Sequence, residues 1–208
     1  MNKTIGWASG SGLLLVLLAG ALAHFLFRTS PPGIDRAATE WLAGHRVDWL
    51  TTTSLVLNSV GGGLLGDLAV PGVIVIAFLL ARRWRSAVVF VAAILVSAAV
   101  VQLAKSIVQR VRPADGLLAL NSWSFPSGHA AHAATIAAVV ALLTWRWWVA
   151  GLGAIYAAAM AFSRVYLGVH WLTDVVAGIV LGASIAGMVW FASRRLRPAQ
   201  VAARGLSN

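Results

Sequence analysis

Long apolar runs, separated by short polar stretches, make up most of this 208-residue chain. The runs cover about residues 5–27, 64–81, 86–104, 129–144, 148–167 and 171–192. A hydrocarbon core about 30 Å thick takes about 20 apolar residues as a helix, which is close to the length of these runs. We therefore predict an all-α bundle of six transmembrane helices, forming a single membrane domain over residues 1–208.

The first run also resembles a signal peptide, because Lys3 precedes it and Ala21-Leu22-Ala23 looks like a cleavage site. The run nevertheless continues past that site to Phe27. We favour a retained membrane span over a cleaved leader.

A more polar segment, residues 34–60, lies between the first two runs. Its apolar residues, among them Ile34, Ala38 and Leu42, recur at roughly helical spacing between charged ones. The segment is too polar to span. We expect a short amphipathic helical segment at the membrane interface, with Trp41 and Trp49 at headgroup level.

Composition supports an integral membrane protein. Only 11% of the residues are charged, whereas a soluble domain has about 25%. The absence of cysteine excludes disulfides and thiolate metal sites. The formal net charge of +10 could indicate nucleic-acid binding, but the basic residues follow the ends of the apolar runs, so we expect no nucleic-acid partner.

The basic residues also indicate an orientation. With the N-terminus inside, nine Lys and Arg and no acidic residue fall on the inner side, against seven basic residues on the outer side. Short inner loops are enriched in Lys and Arg. We expect a multi-pass protein of the bacterial inner (plasma) membrane, with both termini cytoplasmic.

Three polar groups interrupt the apolar pattern, all on the predicted outer side. They are KSIVQRVRP at residues 105–113, PSGH at 126–129 and SRVYLGVHWLTD at 163–174. Three cations, Lys105, Arg112 and Arg164, at one membrane depth are costly unless an anion is held there. The planar arginine fork binds two phosphate oxygens at once.

The other two groups add a helix start and two histidines. Ser127 is a plausible N-cap, whose helix start offers free N–H groups to an anion, and Gly128 allows close approach. His170 and Asp174 are four residues apart, so on a helix the carboxylate could orient the ring and make its other nitrogen nucleophilic. His129 could deliver a proton.

The ordered set K-x6-RP, PSGH and SR-x5-H-x3-D resembles the signature of the type 2 phosphatidic acid phosphatase family, the membrane lipid phosphate phosphatases. The resemblance covers about residues 64–192, and within the family the chain looks like bacterial phosphatidylglycerophosphate and undecaprenyl pyrophosphate phosphatases. It implies six spans with the site on the outer face.

By that resemblance, His170 is the nucleophile that forms a phosphohistidine and Asp174 orients it. His129 protonates the leaving oxygen and then activates water. The phosphoryl oxygens are held by Lys105, Arg112, Ser127, Gly128 and Arg164. No metal and no other cofactor are implied.

The expected function is hydrolysis of a membrane lipid phosphate or pyrophosphate. Undecaprenyl pyrophosphate, phosphatidylglycerol phosphate, phosphatidic acid and a lipid A phosphate all suit such a site. A lipid phosphotransferase and a non-enzymatic lipid transporter are the alternatives. A vanadium haloperoxidase shares the signature, but those enzymes are soluble.

Five further residues receive structural interpretations. Arg110 matches no motif position and is interpreted as a topology residue, since basic side chains at span ends often snorkel to the interface. His132 is interpreted as a packing or supporting residue, and Asp67 as an interfacial or interhelical partner. Gly178 and Gly182 form a GxxxG, which is typical of close helix packing.

Overall fold

The computed structural model describes residues 31–195. The regular secondary structure of this part of the chain is helical, with no strand. The helices are α1 (Gly33–Gly44), α2 (Asp48–Gly61), α3 (Val70–Leu80), α4 (Trp84–Val108), α5 (Gly128–Thr144), α6 (Trp147–Tyr166) and α7 (Leu172–Arg195). A π-helical turn, Leu65–Ala69, leads directly into α3.

Three of the described helices, α4, α6 and α7, are long and apolar enough to cross a membrane. Helix α2 and the stretch Leu65–Leu80 pass the same test only as a pair, bent by 53°. Helix α5 is apolar but shorter, at 17 residues. Residues 31–195 therefore contain three candidate spans, or four if the bent pair is one span.

These helices agree with most of the predicted spans. The predictions at 86–104, 129–144, 148–167 and 171–192 correspond to α4, α5, α6 and α7 within a few residues. The prediction at 64–81 corresponds to the π-helical turn and the 11-residue α3, which follow α2 after a break at Gly62 and Gly63. The predicted first span, 5–27, lies outside the described residues. The six-span count and the interfacial placement of residues 34–60 stay predictions.

The short helix α5 lies at the centre of the bundle, packed against α4, α6 and α7. Its small residues allow this close packing, and Ala130, Ala131 and Ala133 are fully buried. A Cβ at Gly178 of α7 would lie 2.6 Å from the Ser127 carbonyl oxygen, and one at Gly182 would overlap the Ala131 carbonyl oxygen. The expected role of this GxxxG in close helix packing is confirmed.

Helix α1 buries two polar side chains against the bundle. Asp35 and Thr39 are buried, whereas Ile34 and Trp41 are more than half exposed. The exposed face also carries Arg36 and Glu40, so it is mixed in polarity. The arrangement carries an acidic side chain from α1 into the interior, next to the C-terminal end of α4 and the N-terminal end of α7.

Candidate active site

A cavity of about 260 Å³ lies where α4 ends and α5 begins. Five of the sequence-predicted site residues line it: Lys105, Arg112, Gly128, His129 and His170. Asp174 lies directly behind His170, while Ser127 and Arg164 are buried nearby without lining the cavity. The three separate sequence groups thus meet at one end of the bundle.

His170 is held in the loop between α6 and α7 and is only 2% exposed. Its Nδ1 faces the Asp174 carboxylate at 3.6 Å from Oδ2, which is longer than a hydrogen bond. Its Nε2 points to the cavity side and lies 3.1 Å from Nη1 of Arg112. The ring is therefore oriented with the carboxylate behind it and the second nitrogen toward the cationic groups.

Asp174 has a full set of donors on both carboxylate oxygens. Oδ1 accepts from Arg110 at 2.6 Å, and Oδ2 accepts from the Ser124 hydroxyl at 2.5 Å and the Trp171 backbone N–H at 3.0 Å. A buried charge is tolerated only when it is paired and hydrogen-bonded in this way. These donors fix the position from which the carboxylate faces His170.

Arg110 connects this carboxylate to α1. Its guanidinium is 6% exposed and bridges Asp174 and Asp35, with a nitrogen–oxygen distance of 2.6 Å to each. Asp35 also accepts from the backbone N–H and the hydroxyl of Thr173, at 2.9 and 2.7 Å. The interpretation of Arg110 as a snorkelling topology residue is wrong, because its charge is needed between two buried carboxylates.

Lys105 and Arg112 face the loop between α4 and α5. Lys105 donates to the Trp123 carbonyl. Arg112 donates to the Ser122 carbonyl at 2.7 Å and hydroxyl at 2.9 Å, and also to the Val169 carbonyl. Backbone carbonyls therefore satisfy much of the cationic hydrogen-bonding capacity, and an incoming anion competes with these weak acceptors.

Arg164 and Ser127 each leave a buried polar atom without a partner. Arg164 donates from Nη1 to the side-chain oxygen of Asn58 at 2.8 Å, but its Nη2 is unpaired, and so is Oγ of Ser127. Ser127 is the N-cap residue of α5 as predicted, yet its side chain makes no capping bond. Unpaired buried donors are costly, and an anion is the partner that would satisfy both.

His129 lies on the first turn of α5, next to the end of α2. Its Nε2 is 3.4 Å from the Asn58 backbone carbonyl, so Asn58 contacts both His129 and Arg164. A Cβ at Gly62 would lie 2.5 Å from the same ring nitrogen. The glycine pair Gly61 and Gly62 therefore leaves room for the imidazole.

His170 lies outside the membrane-spanning helices, and burial lowers its pKa to about 4, with Asp174 acting in the opposite direction. Burial also lowers the pKa of Arg112, again partly opposed by Asp174. A histidine with such a low pKa is neutral at physiological pH. Its Nε2 then carries the lone pair that a nucleophile needs.

His132 and Asp67 line the same cavity, one turn deeper than His129. His132 Nε2 lies 3.1 Å from the Gly66 carbonyl, within the π-helical turn. This bond agrees with the supporting role expected for His132, but both side chains also face space that a ligand could occupy. The residues 31–195 contain no cluster of three or more His, Cys, Asp or Glu side chains arranged to hold a metal ion; the expectation of a metal-free reaction stays a prediction.

Four residues of the site were missed by the sequence reasoning: Asp35, Asn58, Arg110 and Ser124. Two of them had a usable signal, since Arg110 lies two residues before Arg112, and Ser124 two before Pro126. Asp35 and Asn58 lie on α1 and α2, far along the chain from their partners. No spacing pattern connects them.

Comparison with known proteins gives consistent results. The family model described as PAP2 superfamily matches residues 86–198. The crystal structure of a transmembrane PAP2 type phosphatidylglycerolphosphate phosphatase from Bacillus subtilis superposes with a TM-score of 0.77 at 25% identity, over 93% of this chain and 99% of that one.

Two curated relatives are similar over shorter stretches. A decaprenylphosphoryl-5-phosphoribose phosphatase of Mycobacterium tuberculosis is 36% identical over 131 residues, which is 61% of this chain and 66% of the relative. An undecaprenyl-diphosphatase of Sulfolobus acidocaldarius is 48% identical over 66 residues, 32% of either chain. The matches thus span from a third to just under two thirds of these relatives' own length.

Proposed function

The chain belongs to the PAP2 superfamily, and on that premise we propose that it is a metal-independent phosphatase of membrane lipid phosphates or pyrophosphates. The observation that carries the proposal is the cavity in which Lys105, Arg112, His129 and His170 converge, with Asp174 behind the nucleophilic ring. Lipid substrates are supported by the long apolar helices around the site and by the names of the relatives.

The first step is attack of His170 on phosphorus. The Nε2 lone pair forms the P–N bond while the bond from phosphorus to the leaving oxygen breaks. His129 gives the leaving oxygen its proton. Asp174 stabilises the charge that develops on the His170 ring, and its own position is held by Arg110 and Ser124.

The second step is hydrolysis of the phosphohistidine. His129 takes a proton from water, the water oxygen attacks phosphorus, and the P–N bond breaks to release inorganic phosphate and free His170. Lys105, Arg112, Gly128, Ser127 and Arg164 hold the phosphoryl oxygens in both steps. Preorganised cations and N–H groups in a site that excludes water stabilise the transition state strongly.

The substrate displaces a contact that blocks the nucleophile. Nη1 of Arg112 lies 3.1 Å from Nε2 of His170. A phosphoryl group placed between the two takes over the arginine N–H groups and exposes the lone pair to phosphorus. Substrate binding therefore activates His170 without any movement of Asp174.

The proposed membrane arrangement has six spans, both termini in the cytoplasm and the site facing the outside of the inner membrane. It is supported by the excess of arginine at the opposite end of the bundle. Arg82, Arg83 and Arg146 lie in the two described turns there and Arg85 in the first turn of α4, with no acidic residue among them.

The direct test is release of inorganic phosphate in detergent micelles from phosphatidylglycerol phosphate, phosphatidic acid and undecaprenyl pyrophosphate. We expect turnover of at least one of these by the native chain and at least a 10³-fold loss in His170→Ala. Phosphate transfer to an added lipid alcohol in place of water would indicate the phosphotransferase alternative. A fully active His170→Ala protein would overturn the mechanism.

A further inference from the structure

The site cavity is deeper than one phosphoryl group requires. Its wall on α4 runs from Lys105 down to Ser97. At a rise of 1.5 Å per residue, the eight steps from residue 97 to residue 105 span about 12 Å along the helix. The upper part, at Lys105 and Arg112, is the phosphate cradle. The lower part, formed by Asp67, Gln102 and His132, has no role in the phosphatase mechanism described above; we name it the deep branch.

The deep branch differs from the cradle in charge. Among the described residues that line the cavity, the fixed cations are Lys105 and Arg112, and Asp67 is the acidic residue. Asp67 and Gln102 are both exposed. An ionisable or amide side chain at the depth of membrane helices is costly unless it meets a polar partner. The deep branch is therefore built for a polar group, and the carboxylate disfavours an anionic one.

His132 adds an acceptor to the same branch. Its Nε2 donates to the Gly66 carbonyl at 3.1 Å, in the π-helical turn that also carries Asp67. In the neutral tautomer that this bond requires, Nδ1 is left as an acceptor. A carboxylate and an imidazole acceptor together match a ligand that brings hydroxyl donors.

The direction of the branch relates it to the leaving group. His129 and His132 are three residues apart on α5 and so share a face, with His132 one turn deeper. The leaving oxygen lies at His129 in the proposed reaction. A leaving alcohol whose oxygen lies at His129 can extend along the same cavity to His132 and Asp67, which also line it.

We propose that the deep branch binds hydroxyl groups of the leaving alcohol, and that the preferred substrates are phosphomonoesters of lipid-linked polyols or sugars. This rests on the proposed function. Phosphatidylglycerol phosphate carries a free hydroxyl on the carbon next to the phosphoester, and a lipid-linked phosphosugar carries several. Phosphatidic acid has none. A polyprenyl diphosphate would place a second phosphate beside the Asp67 carboxylate, where like charges repel.

The experiment measures kcat/KM of the native chain and of Asp67→Asn in mixed micelles for three substrates: phosphatidylglycerol phosphate, phosphatidic acid and undecaprenyl pyrophosphate. The native chain is expected to prefer phosphatidylglycerol phosphate. Because the amide oxygen of Asn is a weaker, uncharged acceptor, Asp67→Asn is expected to lower the ratio of kcat/KM for phosphatidylglycerol phosphate to kcat/KM for phosphatidic acid by about tenfold. The same substitution is expected to raise kcat/KM for undecaprenyl pyrophosphate relative to kcat/KM for the other two lipids, because the repelling charge is removed.

Asp48→Asn is the matched control, because Asp48 is an exposed carboxylate on α2 that lies outside the cavity. Gln102→Leu provides the same ratio test should Asp67→Asn not be recovered as folded protein. An unchanged ratio in the variants, or a native preference for the pyrophosphate, would overturn the hydroxyl subsite. Absence of phosphate release from all three lipids by the native chain would instead overturn the proposed function.

Discussion

The two histidines of the site occupy opposite environments. His170 is 2% exposed, with Asp174, Ser124 and Arg112 around its ring. His129 is only partly buried, and within residues 31–195 its hydrogen-bond contact is the Asn58 carbonyl at 3.4 Å. The side of the cavity that holds the nucleophile is thus saturated with polar contacts, whereas the leaving-group side borders glycines and open space.

This difference follows from what each side has to do. A nucleophile must meet phosphorus at one fixed distance and angle, and misplacement by about 1 Å can cost about 10²-fold in rate. A leaving group varies between substrates, so its side gains from space and from acceptors such as Asp67. Substitutions on the His170 side should therefore affect every substrate alike, and those on the His129 side should depend on the substrate.

The largest effect is expected for Asp174→Asn. The amide keeps the size of the side chain but removes the charge that stabilises the ring of His170 during attack. We expect kcat to fall by about 10³-fold for all substrates, with a much smaller change in KM. Steady-state phosphate release measures both constants. The control is Asp115→Asn, because Asp115 is an exposed carboxylate in the loop between α4 and α5. A fall in kcat confined to one substrate would contradict the expectation that the His170 side acts on all substrates alike.

Asp35→Asn tests the outer part of the same network. Arg110 would keep its 2.6 Å contact with Asp174 but lose the charge of its second partner. We expect a fall in kcat of about 10- to 30-fold that is equal across substrates, since the neutral amide can still accept a hydrogen bond and only part of the roughly 1.5–3 kcal/mol of a charged hydrogen bond is lost. The matched variant is Glu40→Gln, on the exposed face of α1. Equal rates in the two variants would show that Asp35 does not help to position Asp174 against His170.

Gly62→Ala tests the open side. The new Cβ would lie 2.5 Å from His129 Nε2, so the ring has to move. We expect about a tenfold fall in kcat for lipid substrates, whose leaving oxygen needs a proton. The leaving group of p-nitrophenyl phosphate needs no proton, so the rate of the first step with this substrate should fall less. Gly72→Ala, where a Cβ meets nothing within 4 Å, is the control.

The smallest effect is expected from pH. His170 has its pKa lowered to about 4, so the neutral nucleophile is present above that pH and is lost as the pH falls through it. The attack step should slow by only about a tenth between pH 7 and 5, whereas an ordinary histidine would lose about 25-fold. The p-nitrophenol burst of His129→Ala, corrected for substrate ionisation, measures this step. A steep fall near pH 6.5 would contradict the burial of His170.

The sequence predicted the convergence of the motif residues well, because motif positions at helix ends are local information. Lys105 lies in the last turn of α4, Ser127 is the N-cap residue of α5, and Asp174 lies in the first turn of α7, as the apolar run lengths indicate. Four of the five spans predicted within the described residues correspond to single helices. The exception is the prediction at 64–81, which contains the π-helical turn. This turn follows a run of glycines, and hydrophobic periodicity does not predict the backbone geometry of such a run.

The contacts between distant segments could not be predicted. Asp35 pairs with Arg110 across 75 residues, and Asn58 meets Arg164 across 106. A mixed polar and apolar helix such as α1 can lie at a membrane surface or turn its polar face inward, and both give the same sequence pattern. Arg110 was misinterpreted for this reason, since its partner was not visible from spacing.

Identification of the phosphorylated residue tests the central claim most directly. His129→Ala, given p-nitrophenyl phosphate, is expected to release about one equivalent of p-nitrophenol in a burst, because the phosphoenzyme forms but lacks the base for hydrolysis. After quenching in alkali, which preserves phosphohistidine, peptide mass spectrometry should find the phosphate on His170. The double variant with His170→Ala should show no burst. Phosphate on another residue, or a burst that survives in the double variant, would contradict the account.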